Sequence, residues 1–273
     1  MKEFMSIGVI VRGDAPIASL KRVKSLGIPT CQMYIPPEEW HSESKMEAIR
    51  KAVSETGVKI TCFFCHFKGE SYVNVPTIKK TVGLRNPNTR QERIEKIFTF
   101  SDFAKKLNVP ALAGHIGFIP ENKDDPDYEG MVQAVRKIAD HCRENGQKFA
   151  LETGQEKASV LSMFIEDVNR LNTGVNFDPA NMLLYDAGDP IEALDILGRY
   201  VIAVHCKDGK HPERRRGLGK EYPLGEGNVG IERFINKLKE IGYTGSLTIE
   251  REISGEQQTK DILKAKKLLE KLR

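Results

Sequence analysis

Eight short runs of apolar and β-branched residues recur along this 273-residue chain, at 6–11, 30–35, 59–64, 111–113, 148–151, 175–177, 201–204 and 246–249. Each is too short for a helix and is followed by a stretch with helical hydrophobic spacing. Gly27, Gly57, Asn108, Gly146, Gly198 and Gly242 stand where those helices should stop, as residues that accept left-handed backbone do. An open doubly wound sheet also alternates strand and helix. Eight repeats in a chain of this length instead predict one closed (β/α)8 TIM barrel, a single domain spanning residues 1–273.

Hydrophobic residues make up 40% of the chain, enough for a barrel core. The formal net charge of +4 is mild and calls for no nucleic-acid partner. No apolar run approaches the roughly 20 residues of a membrane span. Five scattered cysteines and the lack of an N-terminal secretory pattern point to a reducing cytoplasm. Cys62 and Cys65 have Cys-x-x-Cys spacing, but in a strand their side chains leave on opposite faces, so they read as buried thiols.

A barrel of this kind carries its chemistry at the carboxyl ends of its strands. Those ends hold His66 (third run), His115 (fourth), Glu152 (fifth), Asp178 (sixth), His205 (seventh) and Glu250 (eighth). Four consecutive strands therefore deliver Glu, Asp, His and Glu to one point above the barrel axis. Taken singly, each is an ordinary solvated or capping residue; their equivalent places in the repeat make them candidate ligands of one divalent ion. Mixed carboxylate and imidazole donors suit Mn²⁺, Co²⁺, Mg²⁺, Fe²⁺ or Zn²⁺ alike, and Mn²⁺ is taken as the working expectation.

The motifs around these residues are His115-Ile-Gly-Phe, Leu151-Glu152-Thr, Asn176-Phe-Asp178-Pro-Ala-Asn181, Val204-His205-Cys-Lys207-Asp208, Pro223-Leu-Gly-Glu226-Gly and Thr248-Ile-Glu250-Arg. Through them the whole chain resembles the xylose-isomerase-like barrel superfamily of sugar and sugar-phosphate isomerases and epimerases. Within it the chain is most similar to the D-tagatose 3-epimerase and L-ribulose-5-phosphate 3-epimerase group. The resemblance implies that Glu152, Asp178, His205 and Glu250 hold the metal, and that Glu152 and Glu250 are also the acid/base pair. The chemistry is coherent on its own terms. A divalent ion chelating a ketose carbonyl and its neighbouring hydroxyl acidifies the C–H between them and stabilises a cis-enediolate. One carboxylate then takes the proton and the other returns it from the opposite face, inverting the carbon. The same superfamily includes hydroxypyruvate isomerases, aldose–ketose isomerases, inosose dehydratases and the DNA-repair enzyme endonuclease IV.

Two departures matter. Many epimerases carry a substrate-contacting His where this chain has Asn181, a neutral donor and acceptor. Endonuclease IV has further His and Asp ligands in this region and after strand seven; Asn181 replaces one of them, and residues 209–230 contain no His-x-Asp or Asp-x-His pair. A nuclease is therefore disfavoured. His66, His115, Asn181, Arg214, Arg216 and Glu226 are the candidate substrate contacts. Lys207, Lys210, His211, Arg214, Arg215, Arg216 and Lys220 form a basic stretch that either is solvated or clamps an anionic sugar. Tyr34 and Trp40 are candidate pocket walls. Residues 68–88 lack clear periodicity and read as a functional loop. The expected partner is a small sugar or sugar phosphate, in a chain that can assemble as a dimer or tetramer.

Overall fold

The computed structural model describes residues 5–213 and 217–273. The barrel strands are β1 (Ile7–Val11), β2 (Thr30–Tyr34), β3 (Lys59–Cys65), β4 (Ala111–Gly114), β5 (Lys148–Glu152), β6 (Thr173–Phe177), β7 (Val201–Cys206) and β10 (Leu247–Ile249). All neighbours are parallel, and the sheet closes where β1 meets β10, with Ile7 opposite Leu247 and Val9 opposite Ile249. Between β7 and β10 a short antiparallel pair, β8 (Asp208–Lys210) and β9 (Lys220–Tyr222), stands outside the barrel.

The described residues also form ten α-helices: α1 (Pro16–Ser25), α2 (Glu43–Thr56), α3 (Val75–Thr81), α4 (Pro87–Lys106), α5 (Tyr128–Glu144), α6 (Ala158–Val168), α7 (Pro179–Leu184), α8 (Pro190–Leu197), α9 (Ile231–Glu240) and α10 (Glu256–Leu272). Their apolar stripes explain the covering. In α9, Ile231, Phe234, Ile235 and Leu238 are buried at the i, i+3, i+4, i+7 spacing, while the Lys and Glu positions face out. Asp189 opens α8 by accepting from Ile191 N and Glu192 N, a cap worth about 1 kcal/mol. Asn108 and Asn169 end α4 and α6 with φ of 55° and 49°.

Alternation along the strands makes two cores. Outward residues such as Met33, Phe63, Leu112, Phe149, Val175 and Val204 pack beneath the helices. The barrel interior holds Cys62, Phe64, Ala111, Ala113 and Ala150, with Ile10 and Ile202 against them. Cys62 is thus inside the barrel and Cys65 outside, and all five cysteines are free and buried. Small interior side chains leave room above them for a layer of polar groups, where the site lies.

Three local features depart from the sequence reading. The aperiodic stretch 68–88 contains α3, whose Pro76 lies in the first turn and whose start is capped by Asn74 accepting from Thr77 N. Seven residues are too few to show a helical period. The rest of that stretch is pinned by the buried carboxylate of Glu70, which accepts from Phe67 N at 3.1 Å and Gly83 N at 2.8 Å. Helix α7 follows β6 directly, and the Gly-rich stretch after β7 contains the β8–β9 pair. Among the described residues, no helix is long and apolar enough to cross a membrane.

Candidate metal centre

Strand ends place the four candidate ligands. Glu152 closes β5, Asp178 follows β6, His205 is the penultimate residue of β7 and Glu250 follows β10. One donor atom from each lies within 4.8 Å of the other three, and all four residues are buried. His205 Nδ1 is 3.0 Å from Glu152 Oε1, 3.0 Å from Glu250 Oε2 and 3.7 Å from Asp178 Oδ2.

Behind the imidazole is a buried amide network. Gln32 Oε1 lies 3.0 Å from His205 Nε2, and Gln32 Nε2 donates to Asn176 Oδ1 at 3.0 Å. Asn176 Nδ2 in turn donates to Glu152 Oε2. Nε2 faces this carbonyl oxygen and, at 3.1 Å, Asn176 Nδ2, while Nδ1 faces the carboxylates and would offer them and an ion its lone pair once its proton is lost. Gln32 and Asn176 are 1% and 0% exposed, and they hold the tilt of the imidazole ring.

Asp178 serves two elements at once. Its Oδ1 caps α7 by accepting from Asn181 N at 3.0 Å, and its backbone N–H donates to Thr153 Oγ1 at 2.7 Å. Its Oδ2 is buried without a hydrogen-bond partner. The loop after β5 approaches α7 so closely that a Cβ on Gly154 (φ 130°) would lie 2.3 Å from Asn181 Cβ, so glycine is required. This approach holds Asn181 against the centre, its Nδ2 3.4 Å from Glu152 Oε1.

Lys207 is the residue the sequence reading misplaced. Its sequence neighbours group it with a basic stretch that is solvated or clamps an anion, yet its side chain is 1% exposed and its Nζ lies 3.1 Å from Asn181 Oδ1, 2.5 Å from Glu252 Oε1, 3.4 Å from Glu250 Oε2 and 3.5 Å from Asp178 Oδ2. Burial opposes its charge, but Glu250, Asp178 and Glu252 outweigh burial and hold its pKa well above the ordinary value. Three ligand carboxylates against one ammonium leave two negative charges, which one divalent cation balances. An orphaned buried carboxylate oxygen, an imidazole nitrogen directed at three carboxylates and this charge deficit all fit a divalent metal.

The titrations agree in sign. Burial raises the Glu152 carboxyl to about 7, against the pull of His205. Burial also works against a charged His205, but Glu152 and Glu250 outweigh it and raise its pKa well above the usual. An entering ion must displace the protons these groups hold. Apparent affinity for Mn²⁺ is therefore expected to weaken by at least about tenfold between pH 7.5 and 5.5, as measured by calorimetric titration. Pronounced tightening on acidification would remove Glu152 from the ligand set.

Two of the four, Glu152 and Glu250, border a cavity of about 390 Å³ whose walls also include Tyr34, His66, His115, Asn181, Lys207 and Glu252. His115 Nδ1 is buried without a partner, and burial, with Lys207 nearby, lowers its pKa to about 4. His66 is held below its normal range by burial and by Arg12. Tyr72, from the pinned loop, and Tyr185 complete the walls. Glu226 is not brought to the site. It lines no wall of this cavity, and its carboxylate pairs with Lys264 on α10, because the turn around it is folded onto Asp208. Asp208 accepts from Gly209 N, Gly225 N, Gly227 N and Val229 N, which turns the Pro-Leu-Gly-Glu-Gly motif into a loop anchor. Trp40 lies under Lys45 and borders neither this cavity nor the groove beside it. Arg214 and Arg216 lie outside the described residues.

The xylose isomerase-like TIM barrel family matches residues 20–272. The chain belongs to that family. A xylose isomerase domain protein from Planctomyces limnophilus is 43% identical over 99% of this chain and 98% of its own, with a TM-score of 0.95. The L-ribulose-5-phosphate 3-epimerase UlaE of Salmonella paratyphi B is 23% identical over 266 residues, 87% of this chain and 82% of the relative. The D-psicose 3-epimerase of Clostridium cellulolyticum H10, solved with D-tagatose, aligns over 98% of this chain and 99% of its own at 17% identity and a TM-score of 0.75. That last likeness is one of fold. Within this xylose isomerase-like barrel the polar layer is concentrated on β2, β5, β6, β7 and β10, the strands that carry Gln32, Glu152, Asn176, Asp178, His205 and Glu250.

Proposed function

We propose that the protein is a divalent-metal-dependent isomerase or epimerase of sugars or sugar phosphates, with ketose 3-epimerisation as its reaction. The observation that carries the reading is the pair Glu152 and Glu250: both border one cavity, and each lies 3.0 Å from the same nitrogen of His205. Relatives named as L-ribulose-5-phosphate and D-psicose 3-epimerases support it. Glu152, Asp178, His205 and Glu250 would hold one ion, Mn²⁺ in the first instance, which supplies polarisation of the substrate carbonyl and adjacent hydroxyl. The side chains do the rest. One carboxylate accepts the proton from the carbon between those oxygens, and the other returns one from the opposite face. A raised Glu152 and a depressed Glu250 give the pair one member that readily holds a proton and one that stays ionised. In this reading His115, His66 and Asn181 bind hydroxyls, and Lys207 keeps Glu250 anionic. Tyr34, Tyr72 and Phe64 limit access of water.

Proton NMR of ketoses and ketose phosphates incubated with Mn²⁺-loaded protein in D₂O tests the reading. Deuterium at C3 is expected. Exchange confined to C1 would make the protein an aldose–ketose isomerase, and no exchange with metal bound would end the reading. Asp178→Asn is expected to lower bound Mn²⁺ after desalting by tenfold or more, measured by elemental analysis, because its Oδ2 is a buried donor atom without a hydrogen bond in the protein.

A further inference from the structure

The inner cavity is not a closed chamber. Tyr34, His66, Glu250 and Glu252 line both it and a groove of about 1560 Å³ that runs over the loops after β1, β2, β3 and β10. The inner cavity, at about 390 Å³, is already near the lower end of what encloses a small ligand. A free monosaccharide seated with its reacting carbon between Glu152 and Glu250 leaves the groove without a function.

The walls of the groove indicate what would lie there. They carry five basic and five acidic side chains, Arg12 and Lys68 among the first, Glu38 and Glu39 among the second. A channel for a phosphodiester chain or a polyanion has a surplus of cations. This one is balanced, and hydroxyls such as Ser19 and Ser254 and the amide of Gln258 lie between the charges. Alternating donors and acceptors of both signs suit a neutral, polyhydroxylated ligand. At the junction stands the ring of Tyr34, packed edge-on to Phe64 at 5.3 Å and to His66 at 5.6 Å, so it is held rigid where a second sugar ring would begin.

The groove is built, not a gap between mobile loops. The loop after β1 packs so tightly on that after β2 that a Cβ on Gly13 would lie 1.9 Å from Tyr34 O. Ser19 Oγ donates to Arg12 O at 2.8 Å, Ile35 N donates to Phe64 O at 2.9 Å, and His41 Nε2 lies 2.9 Å from Pro36 O.

We infer that the substrate is an extended one: a ketose unit bearing a neutral glycosyl substituent, with the ketose at the metal centre and the substituent in the groove formed by the β1, β2, β3 and β10 loops. This rests on the sugar isomerase/epimerase reading for the ketose half only. The test compares D-fructose with isomaltulose, a fructose carrying a glucosyl group on C6, remote from the reacting carbon. Both heat of binding and C3 deuterium exchange are measured on the Mn²⁺-loaded protein. Isomaltulose is expected to bind at least tenfold more tightly than fructose, and the Arg12→Ala/Glu39→Ala variant to bring that ratio down to threefold or less. Equal or weaker binding of isomaltulose, or a ratio untouched by the variant, would overturn the inference. Because binding is read separately from exchange, absence of exchange in both sugars would count against the epimerase reading and still leave the ratio to decide the groove.

Discussion

Glu250→Gln is expected to lower the rate of ketose epimerisation by about 10²–10⁴ at saturating Mn²⁺, and Glu152→Gln to do the same. The amide keeps the shape of the carboxylate and can still offer one oxygen, but it cannot accept a proton from carbon. Both groups also face the metal, so metal content must be measured on the same samples, and rates compared at equal occupancy. A sharper signature follows from the two-base relay itself, whose carboxylates each lie 3.0 Å from His205 Nδ1. With two one-sided bases, a variant that retains one carboxylate should retain slow solvent exchange of the epimer whose proton that carboxylate faces, while inversion is lost. Glu152→Gln and Glu250→Gln should therefore preserve exchange in opposite epimers. The double variant should be little worse than the poorer single one, since loss of either base already breaks the relay. Wild-type inversion in either variant would remove that residue from the proton transfer. Loss of both exchange and inversion with metal fully bound would point to a single-base isomerase.

The barrel was legible because its signal is redundant: eight apolar runs, each followed by helical spacing and most by a Gly or Asn stop. The four clustered acceptors were legible for a related reason, since Glu152, Asp178, His205 and Glu250 each end an apolar run at the same place in the repeat. What supports them was not. Gln32 and Asn176 lie inside strands, at β2 and β6, and a lone amide within an apolar run carries no sign of which neighbour it meets across the barrel. The only cue was their polarity at inward positions. The sequence groups Lys207 with its basic neighbours, as a solvated stretch or an anion clamp. Its burial is decided by contacts with Asp178, Asn181, Glu250 and Glu252, all distant along the chain. Glu226 was misread in the opposite direction, since nothing local shows that Asp208 gathers the surrounding backbone amides and turns that carboxylate out to Lys264. Helices α3 and α7 escaped because seven and six residues cannot establish a period.

Lys207→Met should destabilise the metal-free protein by about 3–5 kcal/mol near pH 7, the scale expected when one partner of a buried charge set is removed. Methionine fills similar length without charge, so packing is largely retained and the electrostatic loss dominates. The pH dependence has a definite sign. Burial pushes the Glu250 carboxyl upward, but Lys207 and then His205 outweigh it and hold it well below the usual carboxylate range. A depressed carboxyl contributes stability that is present above its unfolded pKa of about 4.3 and is lost as pH falls through the folded value. The gap between wild type and Lys207→Met should accordingly be widest between pH 6 and 8 and narrow on acidification below pH 4, in thermal melts run with EDTA. The comparison that isolates burial is Glu252→Gln. Glu252 makes the shortest of the contacts to Lys207, 2.5 Å, but its side chain is 55% exposed. Solvent screening should hold its loss to under about 1 kcal/mol. Equal effects of the two substitutions would mean that Lys207 acts through its contact with Glu252 at the cavity mouth. A large effect of Lys207→Met alone would locate its role among the buried carboxylates, where its charge offsets one of the three that Glu152, Asp178 and Glu250 bring together.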